Sequence, residues 1–360
     1  MGMKKVLIFT NFPAPYRIPF FNALSDFVCL YVAFYKETLA GRKWSQNRED
    51  WKFNEVPVLR KGSRFARPMV EMPLDCIVSL DNGLDNFYGN LWLRHHAQRN
   101  GVPFVGWVGH NVVGIRKSSV LLRLFREFWF RLFYKSVSKY LCYSNDSRNF
   151  VLAYRPGART FVGGQVFPRN LINGGGDIPF RTYRGDERCI VISYIGALNS
   201  RKGVMDLIDV FSEINTPSII LQIAGEGELA PSVEAASEVD RRINYISYVD
   251  GRRKHDFFMC TDILVVPSYE EPWGHVVTEA LAYGIPIISS SAVGARQTLT
   301  SGDKVFPVGH VGALKSALIR QIEEFPENNV SYLDDRRKNA KTDASNEALQ
   351  VVKFLFETNE

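Results

Sequence analysis

Glu271 and Glu279 stand eight residues apart, with Pro272, Trp273, Gly274 and His275 inside the interval. An apolar run at residues 262–267 precedes them, and residues 279–284 read as the start of a helix. The glycine-containing turn therefore joins a buried strand to a helix N-terminus. Such a terminus presents unpaired backbone N–H groups and a partial positive charge, which together hold phosphate. Carboxylates beside it accept hydrogen bonds from hydroxyls. Phosphate joined to a polyol is the chemistry of a nucleotide sugar. Spacing alone does not carry this reading, because Glu226 and Glu234 share it. Placement at a strand-to-helix elbow separates the two pairs.

A second joint supplies cations. Gly196 to Gly203 follows the apolar run 190–195 and carries Arg201 and Lys202 where a helix is expected to begin. Cations there oppose the helix dipole, so the placement is favourable only with an anion bound. Arginine offers phosphate a planar fork and lysine a compact charge. The competing readings are a solvated basic loop and, for Glu279, simple dipole capping. Glu271 precedes Pro272, which keeps it extended and off the helix. Gly274 lets the backbone approach a phosphate closely.

His110 lies at the carboxyl end of the run 104–108, placed for hydrogen bonding and proton handling at neutral pH. A structural histidine is the alternative there. His95, His96 and His255 have no metal-ligand partner at a useful spacing, and the chain lacks an Asp-x-Asp element. No metal is therefore expected. Charge on a leaving phosphate would be met by Arg201, Lys202 and backbone N–H groups.

These residues need elements to position them. Short apolar runs alternate with helical periodicity, the pattern of β-α-β units and parallel sheets. In the first half, strands are expected at 6–9, 28–34, 76–80, 104–108 and 140–143, and helices at 20–24, 88–98, 119–136 and 147–154. In the second, strands are expected at 190–195, 219–223, 243–246, 263–266 and 286–289. Its helices are expected at 204–214, 231–239, 252–259, 278–283 and 311–322. Asn173 to Pro179, with three consecutive glycines, reads as a linker. The organisation expected is a Rossmann-like domain over 1–170, a linker over 171–187 and a second Rossmann-like domain over 188–335. A C-terminal helix over 336–360 would pack back on the first domain. The α/β architecture implied is two such domains facing each other across a cleft. Ligands of these sheets bind at the carboxyl ends of strands. Four motifs fall there, at residues 13–17, 109–111, 196–203 and 268–274.

Composition bounds the class. A chain of 360 residues exceeds a single core, and its 46 % hydrophobic and 23 % charged residues are ordinary for a soluble globular protein. No apolar segment approaches the ~20 residues of a membrane span, and the first residues do not read as a signal peptide. Five dispersed cysteines, Cys29, Cys76, Cys142, Cys189 and Cys260, form no disulfide or zinc pattern. A reduced, cytoplasmic protein is expected.

The net charge of +6 hides an asymmetry. Residues 1–170 hold 25 Lys and Arg against 11 Asp and Glu, and the remainder 19 against 27. A basic first half implies an anionic partner. Within residues 115–135, Leu121, Leu124, Phe125, Phe128 and Leu132 share one helical face, with Arg123, Arg126 and Lys135 elsewhere. That helix either lies on an anionic membrane surface or is a buried crossover with a basic edge. The aromatic pattern of an RNA-binding sheet is missing, so nucleic acid is not expected.

In order, these motifs resemble the retaining GT-B glycosyltransferases of family 4, the glycosyl transferases group 1. Residues 195–204 resemble the donor-phosphate loop, 223–229 and 246–249 two further strand ends, and 268–284 the family's Glu-x7-Glu motif. Residues 13–24 and 107–111 look like a bacterial polysaccharide-assembly subgroup. The resemblance implies transfer of a sugar from a nucleotide diphosphate sugar to a glycan or polyprenyl-diphosphate-linked acceptor, with anomeric retention and without metal or other cofactor. The setting implied is the inner membrane face, in lipopolysaccharide or exopolysaccharide assembly.

It further implies Glu279 on the ribose, Glu271 on the donor sugar hydroxyls, and Arg201 and Lys202 on the diphosphate. Gly196, Val249, Gly274, His275, Val276 and Val277 would line the donor. His110, Glu271 and Lys202 are the implied catalytic residues, and Tyr16 and Arg17 the implied acceptor contacts. Three positions depart from the family pattern: Ala197 replaces an arginine, Pro13 to Pro15 a glycine-rich turn, and His275 an apolar residue. Two other classes fit the sequence. One is a sugar-nucleotide epimerase, which acts without an acceptor; the other is a non-enzymatic module binding a membrane or nucleic acid.

Overall fold

The computed structural model describes residues 2–37, 48–60, 66–69, 72–81, 87–109, 124, 128, 130–131, 137, 139–165, 183–184, 187–216, 218–326, 332–333, 335–336 and 343–357. The linker residues 173–179, His110 and most of 115–135 lie outside them. The chain divides into two compact units, Met1–Pro168 with Asp343–Glu360, and Arg169–Thr342.

The first unit holds β1 (Lys5–Thr10), β2 (Cys29–Phe34), β3 (Asn54–Glu55), a hairpin of β4 (Val58–Arg60) and β5 (Ala66–Pro68), β6 (Cys76–Asp81), β7 (Phe104–Val108), β8 (Lys139–Cys142) and β9 (Arg159–Val162). Its sheet runs β3-β2-β1-β6-β7-β8-β9, parallel throughout. Continuous apolar runs make the inner strands, because helices cover both faces of a parallel sheet. Val6, Leu7, Ile8 and Phe9 are all buried. Helices α1 (Ile18–Ser25), α2 (Phe87–Asn100) and α3 (Asn145–Tyr154) connect the strands. Proline opens α1, and the Ser144 side chain caps α3 by accepting from the Ser147 amide. Burial pushes the Cys76 and Cys142 thiols up to about 12, which makes them inert packing groups.

The second unit holds a hairpin of β10 (Tyr183–Arg184) and β11 (Glu187–Arg188), then β12 (Ile190–Ile195), β13 (Ile219–Ala224), β14 (Ile243–Ile246), β15 (Ile263–Val266), β16 (Ile287–Ser290) and β17 (Lys304–Phe306). Its sheet runs β14-β13-β12-β15-β16-β17, again parallel. Counted from β12, that is the 3-2-1-4-5-6 order of doubly wound nucleotide-binding sheets. The helices are α4 (Val204–Ser212), α5 (Ala230–Val239), α6 (Gly251–Met259), α7 (His275–Ala282) and α8 (Val311–Glu323). Ile192, Leu207, Phe211, Leu221, Ile263, Ile288 and Leu314 centre its core.

The final helix, α9 (Ala344–Phe356), belongs to the first unit and packs on α1. Lys139 Nζ donates to the carbonyls of Phe354 (3.2 Å), Leu355 (3.2 Å) and Glu357 (2.6 Å). A cation thus satisfies the orphan acceptors at the negative end of the helix. The Gly164 amide donates to Glu347 Oε1 at 2.7 Å, and Phe161 stacks on Phe354. No helix among the described residues is long and apolar enough to cross a membrane.

Candidate functional site

In a doubly wound sheet the loops diverge where the strand order reverses, leaving an opening at the carboxyl ends of the two central strands. In the second unit those strands are β12 and β15. The loop after β12 carries Gly196, Arg201 and Lys202; the loop after β15 carries Glu271 and Gly274.

Arg201 and Lys202 lie in a 3-10 turn, Ser200–Lys202, that leads into α4, which starts after Gly203 as the expected helix at 204–214 does. Gly203 has φ +68°, and a Cβ there would run into the Pro267 carbonyl of the β15 loop. Only glycine lets the two loops come this close. Two further bonds join them: the Tyr269 amide donates to the Arg201 carbonyl (2.8 Å), and Arg201 Nη1 donates to the Glu270 carbonyl (2.6 Å).

Glu271 is held extended, off the helix. It forms a parallel bridge with Val293, its amide donating to Ala292 and its carbonyl accepting from Gly294. In that position its carboxylate pairs directly with the Lys202 ammonium. One implied phosphate ligand and one implied sugar ligand are therefore in contact. Among the described residues, Trp273 Nε1 and Asn199 Oδ1, buried in the same two loops, have no hydrogen-bond partner.

The helix after this turn begins three residues before the expected 278–283. Gly274, at φ +95°, turns the chain into α7, which starts at His275 rather than near Glu279. Glu279 is therefore a full turn inside the helix, where the dipole no longer favours an acid. Capping does not explain it. His275 and Val276 are half-buried and Val277 is buried. The Glu279 side chain is 10 % exposed, and its Oε1 accepts from Lys254 Nζ at 2.7 Å. Val249 is buried just beyond β14, and the Gly196 amide donates to the Ala224 carbonyl (3.0 Å). Among the described residues, no three His, Cys, Asp or Glu side chains are grouped to hold a metal ion.

Comparison with known proteins bears on the second unit. The model of the glycosyl transferases group 1 matches residues 180–343. That match covers less than half of the chain. Over 129 residues the chain is 30 % identical to an uncharacterized glycosyltransferase of Methanocaldococcus jannaschii, 34 % of this chain and 33 % of that one. Over 116 residues it is 27 % identical to a lipopolysaccharide core biosynthesis glycosyltransferase of Rhizobium meliloti, 31 % of this chain and 33 % of that one. The chain thus spans 33 % of the length of these two curated relatives. The crystal structure of Anabaena HepE in complex with UDP aligns with a TM-score of 0.70 at 15 % identity, covering 98 % of this chain and 99 % of that one. At that identity the likeness is one of fold. The α/β fold class is GT-B.

Outside the group-1 region, Tyr16 and Arg17 follow β1 in the first unit. Arg17 is only 4 % exposed. Its Nη1 donates to Thr10 Oγ1 (2.7 Å) and Asn11 Oδ1 (2.6 Å), and its Nη2 to the Tyr143 hydroxyl (2.6 Å). The guanidinium also lies against the Trp107 ring. Burial pushes the Tyr143 phenol up to about 12, against the pull of that guanidinium. Arg17 thus ties three strand ends of its own unit together. Of residues 115–135, Leu124 and Phe128 are exposed and Phe130 is buried.

Within the group-1 region, Lys254 is the residue that motif reading passes over. The signal is nevertheless present. Arg252, Arg253 and Lys254 open α6 and oppose its dipole, as Arg201 and Lys202 were expected to do in their own joint.

Proposed function

We propose that this protein is a glycosyltransferase that moves a sugar from a nucleotide diphosphate sugar to a glycan or lipid-linked acceptor. The observation that carries the reading is the Lys202–Glu271 ion pair, at the opening between the two central strands of a nucleotide-binding sheet. The group-1 match and the glycosyltransferase relatives support it. The UDP in HepE supports a nucleotide donor, and the lipopolysaccharide enzyme of Rhizobium meliloti supports a cell-surface polysaccharide product.

In this reading the ion pair is a resting arrangement. An arriving diphosphate takes Lys202 as its counter-ion, and the released Glu271 carboxylate accepts hydrogen bonds from the donor sugar. Arg201, steered by the Glu270 carbonyl, faces the same anion. As the bond from anomeric carbon to phosphate oxygen breaks, negative charge collects on the diphosphate. Preorganised cations and the amides at the start of α7 stabilise that charge most in the transition state. Glu279 takes the ribose. Transfer with retention, independence of metal, His110 near the anomeric carbon, and Tyr16 and Arg17 on the acceptor side belong to the same proposal. So does association with an anionic membrane surface, which the exposed Leu124 and Phe128 favour.

The test is transfer with a panel of nucleotide sugars, using wild type, Glu271→Ala and Lys202→Ala, with product anomers read by NMR. Turnover that survives both substitutions rejects the site. Conversion of the donor with no acceptor present favours an epimerase.

A further inference from the structure

The Glu279 carboxylate has a partner that no motif assigns. Lys254 Nζ lies 2.7 Å from its Oε1, and Oε2 has no hydrogen-bond partner among the described residues. Lys254 comes from α6, the next helix before α7 in sequence. It is held on its own helix by lying over the Phe258 ring, at 5.9 Å. Phe258 stacks on Tyr283 at the end of α7, and the Tyr283 hydroxyl lies 2.9 Å from His255 Nδ1. Three contacts from one face of α6 therefore fix α7 around Glu279. The Lys254 side chain is 34 % exposed and that of Glu279 10 %. A carboxylate so nearly closed off from water needs a compensating charge.

We propose that Lys254 is a positioning residue for ribose recognition by Glu279. The inference rests on the donor reading above and goes one step beyond it. A carboxylate that accepts a ribose hydroxyl must present a fixed oxygen. By engaging Oε1, Lys254 holds the carboxylate in place and leaves Oε2 for the sugar. The expected consequence is selective: Lys254 matters for a nucleotide with a complete ribose and is indifferent to one lacking the hydroxyl.

The experiment is calorimetric titration of wild type, Lys254→Met and Lys254→Arg with UDP, GDP and ADP and with the 2′-deoxy form of each. Wild type is expected to prefer one ribonucleoside diphosphate over its 2′-deoxy form. In Lys254→Met the ribo form weakens by about tenfold or more, while the deoxy form binds as before. Lys254→Arg restores most of the preference. With the matching nucleotide sugar, donor KM rises and kcat changes little. A merely structural lysine would weaken both forms equally. An unchanged ratio in Lys254→Met overturns the proposal while leaving the donor reading intact. A wild type that binds none of the three diphosphates overturns the donor reading, and this inference with it. Should Lys254→Met not fold, Lys254→Gln carries the same comparison.

Discussion

The Lys202 ammonium and the Glu271 carboxylate pair between the loops that leave β12 and β15, each side chain 15 % exposed. Removing either partner strands a largely desolvated charge, which costs more than the pair itself contributes. Lys202→Ala and Glu271→Ala should each lower unfolding free energy by about 2 kcal/mol, less than for a fully buried pair. The double variant should lose less than the sum of the singles, because no orphan charge remains. Urea melts of the four proteins read this coupling directly. Turnover should fall by at least roughly a hundredfold in Lys202→Ala, the usual scale for loss of one transition-state electrostatic group.

Gly203 fixes how close those two loops approach. A Cβ at φ +68° is strained on its own and would also displace the Pro267 carbonyl. Gly203→Ala should therefore destabilise by about 2 kcal/mol or more, combining left-handed strain with backbone clash. Thermal unfolding would register the loss. Nucleotide affinity should fall with it, since Arg201 and Lys202 move with the loop.

Much of the fold is legible in the apolar runs. The expectations at 104–108, 190–195, 243–246 and 263–266 coincide with β7, β12, β14 and β15. Both hairpins escape the pattern, as do three strands of the two large sheets, β3, β9 and β17. All are edges of their sheets and carry polar residues such as Asn54, Glu55, Arg159 and Lys304. An edge strand lacks a neighbour on one side, so no apolar run is required of it. The start of α7 was hidden for another reason. Glycine followed by histidine and two valines looks like turn and strand, yet the left-handed Gly274 begins the helix there. The Glu271–Glu279 motif gives the site's acids from sequence alone. Their lysine partners come 69 residues before the first and 25 before the second, separations that only strand order turns into contact.

Arg17 separates a structural role from a ligand role. Arg17→Met removes the donors that Thr10, Asn11 and Tyr143 accept from, deep in the first unit. A loss of about 3 kcal/mol is expected from breaking that buried network, against about 1 kcal/mol for Tyr143→Phe. A purely acceptor-binding arginine would leave stability unchanged and alter only acceptor KM. Denaturant melts beside acceptor kinetics distinguish the two.

Glu347 gives the C-terminal helix a pH signature. Burial raises its carboxyl above the usual range, outweighing the opposing hydrogen bond from the Gly164 amide. A raised acid favours the folded state when protonated, and that advantage is lost as pH climbs through the folded value. Glu347→Gln keeps the acceptor for Gly164 and removes the ionisation. At pH 7 it should be the more stable protein. The difference should vanish below the ordinary glutamate range. Melting curves from about pH 3 to about pH 8 cover both sides of the ordinary glutamate range and suffice to see it.

The most direct measurement is calorimetric titration of UDP, GDP and ADP into wild type, Lys202→Ala and Glu279→Ala. The account predicts that at least one diphosphate binds wild type with one-to-one stoichiometry and is weakened about tenfold or more by each substitution. Binding of equal strength in all three proteins would contradict it, as would a wild type that takes up none of them.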